Sequence, residues 1–267
     1  MIESPHNEKL KLVRKLRDRK HREREGLFAT EGEDLLEAGL AAGAQPRFVL
    51  VAAGSGTKTE LHQISLPAGR KSDAVRVEEV ESGLLADVSS LGSGTRVIAV
   101  WPVPAGDRTQ LSPHTGDNCV QPCLYLHGVG DPGNVGTILR TANAFLGGPV
   151  ALGPECADPF SPKAVRASMG SIFFSPPVQA EIQATPEPRV ALVAHGGQQL
   201  DTLKGAATIC LGAEREGLPE AVLARCAHTV TIPLRPGGAE SLNVAAAAAI
   251  AAQRISSLAM QEARSDG

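Results

Sequence analysis

The chain has 267 residues, of which 42% are hydrophobic and only 3% aromatic, and its formal net charge at pH 7 is -3. That is enough apolar material for a real core, so wholesale disorder is excluded, and the length suits one large domain or two small ones. The longest apolar run, Val244 to Ala252, is too short for the ~20 residues of a membrane span.

The charge is unevenly placed. Residues 1–25 hold nine Lys/Arg against five Asp/Glu, so the remainder is acidic. Lys9, Lys15, Arg17, Lys20 and Arg22 read as a basic element facing a polyanion such as RNA; the alternative is a solvated charged helix. Leu10, Val13 and Leu16 form a narrow stripe. One amphipathic helix over 4–25 is predicted, too thin-striped for deep burial. A short strand and turn over Gly26 to Gly32, a helix from Glu33 to Ala42 and a strand from Arg47 to Ala52 follow. Gly54 to Ser72 reads as a loop with a short strand near Ile64. A strand at Val75 to Val77, a helix from Glu78 to Asp87 and a strand from Arg96 to Trp101 complete a small α/β domain, residues 1–101. The four prolines in 102–122 suggest an interdomain linker, or else a long surface loop.

A second domain, 123–267, alternates strands and helices. Strands are expected at 123–127, 150–152, 172–174, 190–193, 207–211 and 229–232. Helices are expected at 134–146, 162–169 and 219–226, with an alanine-rich helix at the end. This implies a mainly parallel sheet covered on both faces. The cysteines are 119, 123, 156, 210 and 226. Their spacing shows no metal frame, and an odd count without a signal peptide argues for the reducing cytoplasm.

The stretch from Leu211 to Ala252 reads as a pocket. One strand ends in Gly212, Glu214 and Gly217. Another ends at Pro233, before a Pro-Gly-Gly loop and the Ser241-Leu242-Asn243 start of the last helix. Ligands sit at the carboxyl ends of strands in open α/β sheets, and helix N-termini favour polar or anionic groups. A rival lies at Gly128-Val129-Gly130-Asp131-Pro132-Gly133, a literal G-x-G-x-x-G between strand and helix, with Glu155 after the next strand. It fits an NAD-dependent oxidoreductase in outline, although Pro132 removes a donor that the pyrophosphate would use. On the helix that follows, Val135, Ile138, Leu139, Ala142, Phe145 and Leu146 share one face. Arg140 lies nearly opposite it, available to a ligand, a phosphate or a second subunit, or simply to solvent.

Three motifs occur together: N-V-G-T-I-L-R-T-A at 134–142, L-G-A-E-R-E-G-L-P at 211–219, and I-P-L with S-L-N-V-A at 232–234 and 241–245. This set resembles the SpoU/TrmH family of RNA ribose 2'-O-methyltransferases, within the SPOUT superfamily. Residues 4–50 resemble that family's RNA-substrate-binding domain, itself similar to ribosomal proteins, through Lys20, Arg22, Gly26, Phe28, Glu31, Gly32 and Leu35. The resemblance implies S-adenosylmethionine as methyl donor and RNA as acceptor. 23S ribosomal RNA is the expected substrate and transfer RNA the alternative. It also implies a trefoil knot, and a homodimer with the active site at the subunit boundary. No membrane or metal is implied.

By the family pattern Leu211, Gly212, Ile232 and Leu242 wall the cofactor pocket. Asn134, Arg140, Glu214, Ser241 and Asn243 match positions around the reacting ribose. Arg140 matches the family's catalytic arginine. A guanidinium stays protonated in ordinary settings, so a two-point clamp on a phosphate is the easier role. Glu214 is expected to order Arg140 or a loop, and Ser241 is equally suited to cap the last helix. Lys163 and Arg166 could track the RNA backbone. The family often has a small residue where this chain has Arg215, and the loop from Arg235 to Glu240 is slightly long.

Overall fold

The computed structural model of the chain describes residues 1–56, 76–90, 94–104, 111 and 122–265. The strand expected near Ile64 and most of the expected linker lie outside the described residues. The chain divides into two compact units, Met1–Pro104 with Phe160–Phe174, and Ala105–Pro159 with Ser175–Gly267. In chain order the elements begin with α1 (Glu8–Lys15), α2 (Arg19–Glu25), β1 (Leu27–Glu31), α3 (Glu33–Ala41), β2 (Phe48–Ala52), β3 (Val77–Val80), α4 (Ser82–Val88) and β4 (Val97–Pro102). They continue with β5 (Cys123–Leu126), α5 (Pro132–Phe145), β6 (Val150–Leu152), α6 (Pro162–Ser168), α7 (Ser171–Phe174) and β7 (Val178–Gln179). The last are β8 (Arg189–Leu192), β9 (Thr208–Leu211), α8 (Glu220–Leu223), β10 (His228–Val230) and α9 (Val244–Ser265).

In the first unit the sheet order is β1-β4-β2-β3. Both pairs involving β4 are antiparallel, and β2 pairs with β3 in parallel. Successive residues alternate between two cores, as the strand period of two requires. Phe48, Leu50, Ile98 and Val100 face one core, with α1 and α4; Val49, Val51, Val97, Ala99 and Trp101 face the other, with α3. Val165 and Ile172, expected in the second domain, complete this latter core. Phe173 lies 4.7 Å from the Trp101 ring, and Phe160 lies 5.1 Å from Phe28.

The basic segment differs from expectation in two ways. It forms two helices, broken around Leu16 to Asp18, and its narrow stripe is deeply buried: Leu10, Val13 and Leu16 are almost wholly covered. A flat sheet face seals three side chains as well as a wider stripe would. Arg22, expected to face RNA, is only 4% exposed; its Nη1 donates to the Leu16 and Arg17 carbonyls at 2.6 and 2.7 Å. Leu16 is the C-cap of α1, whose carbonyl lacks a partner within the helix, and Arg17 follows it in the connection to α2. Two further expectations give way. Val77–Val80 is a strand because the edge of β2 takes it. Residues 172–174 form the helical turn α7 because Gly170, with φ +86°, turns the chain back onto Trp101.

In the second unit the six strands run in parallel, in the order β10-β8-β9-β5-β6-β7. Leu124, Leu126, Val150, Leu152, Val190, Ile209 and Leu211 face one side, with Val135, Ile138 and Leu139 of α5 and Ala248, Ala251 and Ala252 of α9. Cys123, Tyr125, Ala151, Ala191 and Cys210 face the other, with Val222 of α8. Among the described residues no helix is long and apolar enough to cross a membrane.

Arg22→Ala should therefore weaken folding rather than RNA contact. Removing a buried charged donor set costs roughly 2–3 kcal/mol, and a lower denaturation midpoint of the full chain would register it. An unchanged midpoint would return Arg22 to the surface.

Candidate active site

Three adjacent parallel strands, β10, β8 and β9, end at one cavity of about 350 Å³. Its walls come from the loop after each strand: Leu192 to Ala194, Leu211 to Leu218, and Ile232 with Leu234, closed by Ser241, Leu242 and Val244. The four expected cofactor-wall residues, Leu211, Gly212, Ile232 and Leu242, all line it. The first loop was missed in the sequence. Its signal was the apolar strand Val190 to Val193 running into Gly196-Gly197, the same pattern that marked the other two loops.

The middle loop is a tight turn. Ala213 N donates to Gly217 O at 3.1 Å, and Gly217 N donates back to Ala213 O at 3.0 Å. Gly217 adopts φ +68°, where glycine is at ease. A Cβ at Gly212 would overlap the Gly217 carbonyl and the Leu218 nitrogen. Gly212 is thus demanded by its own turn, which packs backbone against backbone with no room for a side chain.

A polar set sits beside this turn. Asp131 caps α5, its Oδ1 accepting from Asn134 N at 3.0 Å. Asn134 Nδ2 donates to Glu214 Oε1 at 2.5 Å. Asn243 Nδ2 donates to Asn134 Oδ1 and to Glu214 Oε1, each at 3.1 Å. Asn243 Oδ1 accepts from Ala245 N at 2.9 Å and Ala246 N at 3.3 Å, so Asn243 caps α9. Ser241 is not the cap; it is exposed on the cavity wall. Glu214 orders the two asparagine amides rather than Arg140. Arg140 is exposed on α5, does not line the cavity, and makes no hydrogen bond or ion pair among the described residues.

The rival glycine motif lacks a phosphate cradle. Asp131 already places a carboxylate at the N-terminus of α5, and Pro132 occupies its first turn without an N–H. Gly128 N is spent on Pro154 O at 3.0 Å. The Cys123 thiol offers no nucleophile, since burial pushes it up to about 12. Among the described residues no cluster of His, Cys, Asp or Glu is placed to share a metal.

The expected RNA contacts fall in the first unit, Lys163 and Arg166 included, because α6 belongs to it. Lys15, Lys20, Lys163 and Arg166 are exposed. Arg17 is exposed but donates to Ser89 O at 2.7 Å. Lys9 is half-buried, paired with Glu78 and 5.3 Å from the centre of the Phe48 ring.

A parallel sheet with three strand ends converging on one cavity, a Gly-rich turn and an Asn-Glu-Asn set define an α/β protein with a small-molecule site at its strand ends, away from the G-x-G-x-x-G turn. The comparisons with known proteins agree. The SpoU rRNA Methylase family profile matches residues 121–253, and an MRM3-like substrate binding domain matches residues 7–99. An uncharacterized tRNA/rRNA methyltransferase of Synechocystis sp. is 32% identical over 93% of this chain and 90% of its own length. The 23S rRNA (guanosine(2553)-2'-O)-methyltransferase of Bacillus subtilis is 29% identical over 93% and 96%. The AdoMet-bound rRNA methyltransferase from Sinorhizobium meliloti superposes with a TM-score of 0.79 at 25% identity, over 95% of this chain and 96% of that one. The chain belongs to the SpoU/TrmH methyltransferase family.

Gly212→Ala should lower stability by about 1–3 kcal/mol, because the added methyl must push the Gly217–Leu218 peptide aside. Gly217→Ala, where no atom lies within 4 Å, should cost about 1 kcal/mol from its positive φ alone. Chemical denaturation of the two variants side by side checks the order; equal costs would contradict the close packing at Gly212.

Proposed function

We propose that the protein transfers the methyl group of S-adenosylmethionine to the ribose 2'-hydroxyl of a nucleotide in 23S ribosomal RNA. The observation that carries this reading is the Asn134–Glu214–Asn243 set beside the cavity at the ends of β8, β9 and β10. The Bacillus relative acts on 23S rRNA, the Sinorhizobium relative holds AdoMet, and residues 7–99 match a substrate-binding domain. The cavity suits the cofactor: its size is that of a small-molecule site, Leu211, Leu218, Ile232 and Leu242 offer apolar walls for a purine, and Glu214 and Glu216 favour a cation.

When bound, the cofactor supplies an electrophilic methyl on a sulfonium. The chain must add alignment and an acceptor for the hydroxyl proton. Glu214 keeps Oε2 without a hydrogen-bond partner among the described residues. That oxygen is the acceptor this reading assigns to the ribose hydroxyl, while Asn134 and Asn243 hold the carboxylate still. Ser241 offers a hydroxyl on the cavity wall. Arg140 clamps the phosphate next to the target ribose with two parallel N–H donors.

The reading includes a homodimer. Phe145 on α5 and Ile250 on α9 are 43% and 39% exposed, apolar surface on the two helices that pack side by side. Arg140 on α5 then serves the partner's cavity. The strands and loops around the cavity form a trefoil knot, a feature supported by the family rather than by periodicity. The first unit, built like a ribosomal protein, holds the RNA in the cytoplasm through Lys15, Lys20, Lys163 and Arg166, with Lys9 and Arg17 in support.

Mass spectrometry of ribosomal RNA incubated with protein and S-adenosylmethionine should find one new 2'-O-methyl ribose; methylation of transfer RNA alone would replace the substrate. Arg140→Ala should keep cofactor binding but lose transfer by a factor of ~100 or more. Arg140→Lys should be nearly as poor, because an ammonium lacks the planar two-point contact. Purified mixed dimers of Arg140→Ala with Glu214→Gln, a change that adds no bulk to the turn and removes the assigned proton acceptor, should regain activity if the site is shared across subunits. Continued inactivity, with mixed dimers demonstrated, would place Arg140 in its own subunit's site.

The basic surface has its own test. Lys15→Glu with Lys20→Glu should weaken RNA binding and reduce its salt slope by roughly one to two phosphate contacts. Cofactor affinity should not move. Deleting residues 1–101 is the wrong experiment, since it would strip the cover from Val165 and Ile172. A salt slope identical to the parent's would make the two lysines solvated bystanders.

A further inference from the structure

The turn after β9 carries three consecutive charges, and only one is committed. Glu214, Arg215 and Glu216 form its tip, between the paired residues Ala213 and Gly217. All three line the cavity. Glu214 is held by Asn134 and Asn243. Arg215 and Glu216 are exposed and make no hydrogen bond or ion pair among the described residues. Arg215 is also the only Lys, Arg or His among the residues that line this cavity. The two backbone hydrogen bonds of the turn and the absent side chain of Gly212 hold the backbone of the tip in one shape, so on binding only the Arg215 and Glu216 side chains remain to be ordered.

We infer that Arg215 and Glu216 bind the amino-acid tail of the methyl donor, Arg215 its carboxylate and Glu216 its ammonium. This rests on the proposed cofactor. The charges match in kind and in sum. S-adenosylmethionine carries a sulfonium, an ammonium and a carboxylate, a net single positive charge. The tip carries two carboxylates and one guanidinium, a net single negative charge. The remaining walls are mostly apolar or neutral and leave the tail no other formal charge within the cavity lining. A guanidinium takes a carboxylate with two parallel hydrogen bonds, which fixes direction as well as binding. Fixing the tail directs the sulfonium toward Glu214 and the ribose site, so the two residues position the donor and do not touch the transferred proton.

The test compares two nucleosides by calorimetry. S-adenosylhomocysteine has the zwitterionic tail, and 5'-methylthioadenosine lacks it. The parent protein should bind the first at least tenfold more tightly, a gap of about 1.4 kcal/mol. Arg215→Ala should remove most of that gap, weakening S-adenosylhomocysteine about tenfold while 5'-methylthioadenosine stays within twofold. Arg215→Lys should recover part of the loss, and Glu216→Gln should weaken the same ligand several-fold. In activity, Arg215→Ala should raise the KM for S-adenosylmethionine and also lower kcat several-fold, because an unanchored tail leaves the sulfonium less well aligned. The inference fails if Arg215→Ala binds S-adenosylhomocysteine as the parent does. It also fails if both nucleosides weaken equally, since the turn has then changed shape, or if only RNA affinity and its salt slope fall, since Arg215 then reads phosphate. A parent protein that binds neither nucleoside would instead overturn the proposed cofactor itself.

Discussion

The site depends on one carboxylate held at the start of two helices. Glu214 Oε1 accepts from Asn134, in the first turn of α5, and from Asn243, the cap of α9. Negative charge is stabilised near helix N-termini, by roughly 0.3–1 kcal/mol at each when exposed. The arrangement works only because α5 and α9 lie side by side on one face of the sheet. Ala248, Ala251 and Ala252 are wholly buried there, and such small side chains let the helices approach closely. The low aromatic content of the chain and its alanine-rich end are therefore part of the same geometry. Bulkier residues at these positions would part the helices and separate the two asparagines.

The strand ends then divide the work. The loops after β8, β9 and β10 supply apolar walls, while the turn from Ala213 to Gly217 supplies charge. Gly212 explains why that turn has its shape. Its missing Cβ lets two stretches of backbone touch, and the cavity is what remains beside them. A glycine that looks like a ligand contact in sequence is a packing requirement in structure.

The first unit shows how charge counting both succeeds and overreaches. Nine basic residues in 25 mark an element out from the rest of the chain. Several are nonetheless spent on the fold itself. Arg22 closes the end of α1, Arg17 reaches Ser89, and Lys9 pairs with Glu78 over the Phe48 ring. Lys15 and Lys20 remain exposed, as do Lys163 and Arg166 from a distant part of the sequence.

The sequence by itself determined the alternation of strands and helices in the second unit, because periods of 2 and 3.6 are local properties. Its resemblance to a family singled out Asn134, Glu214, Asn243, Leu211, Gly212, Ile232 and Leu242, each in a short motif, and the fold brings these residues to or beside one cavity. The sequence could not say that Asn243 rather than Ser241 caps α9, since both residue types cap well and only the direction of the chain entering the helix separates them. Nor could it show that residues 160–174 complete the first unit's core, or that Arg22 turns inward. Those are decided by contacts between residues far apart in the chain: Val165 meets the core of Phe28 and Trp101 because a sheet face was left to cover, and no local period records where that face lies.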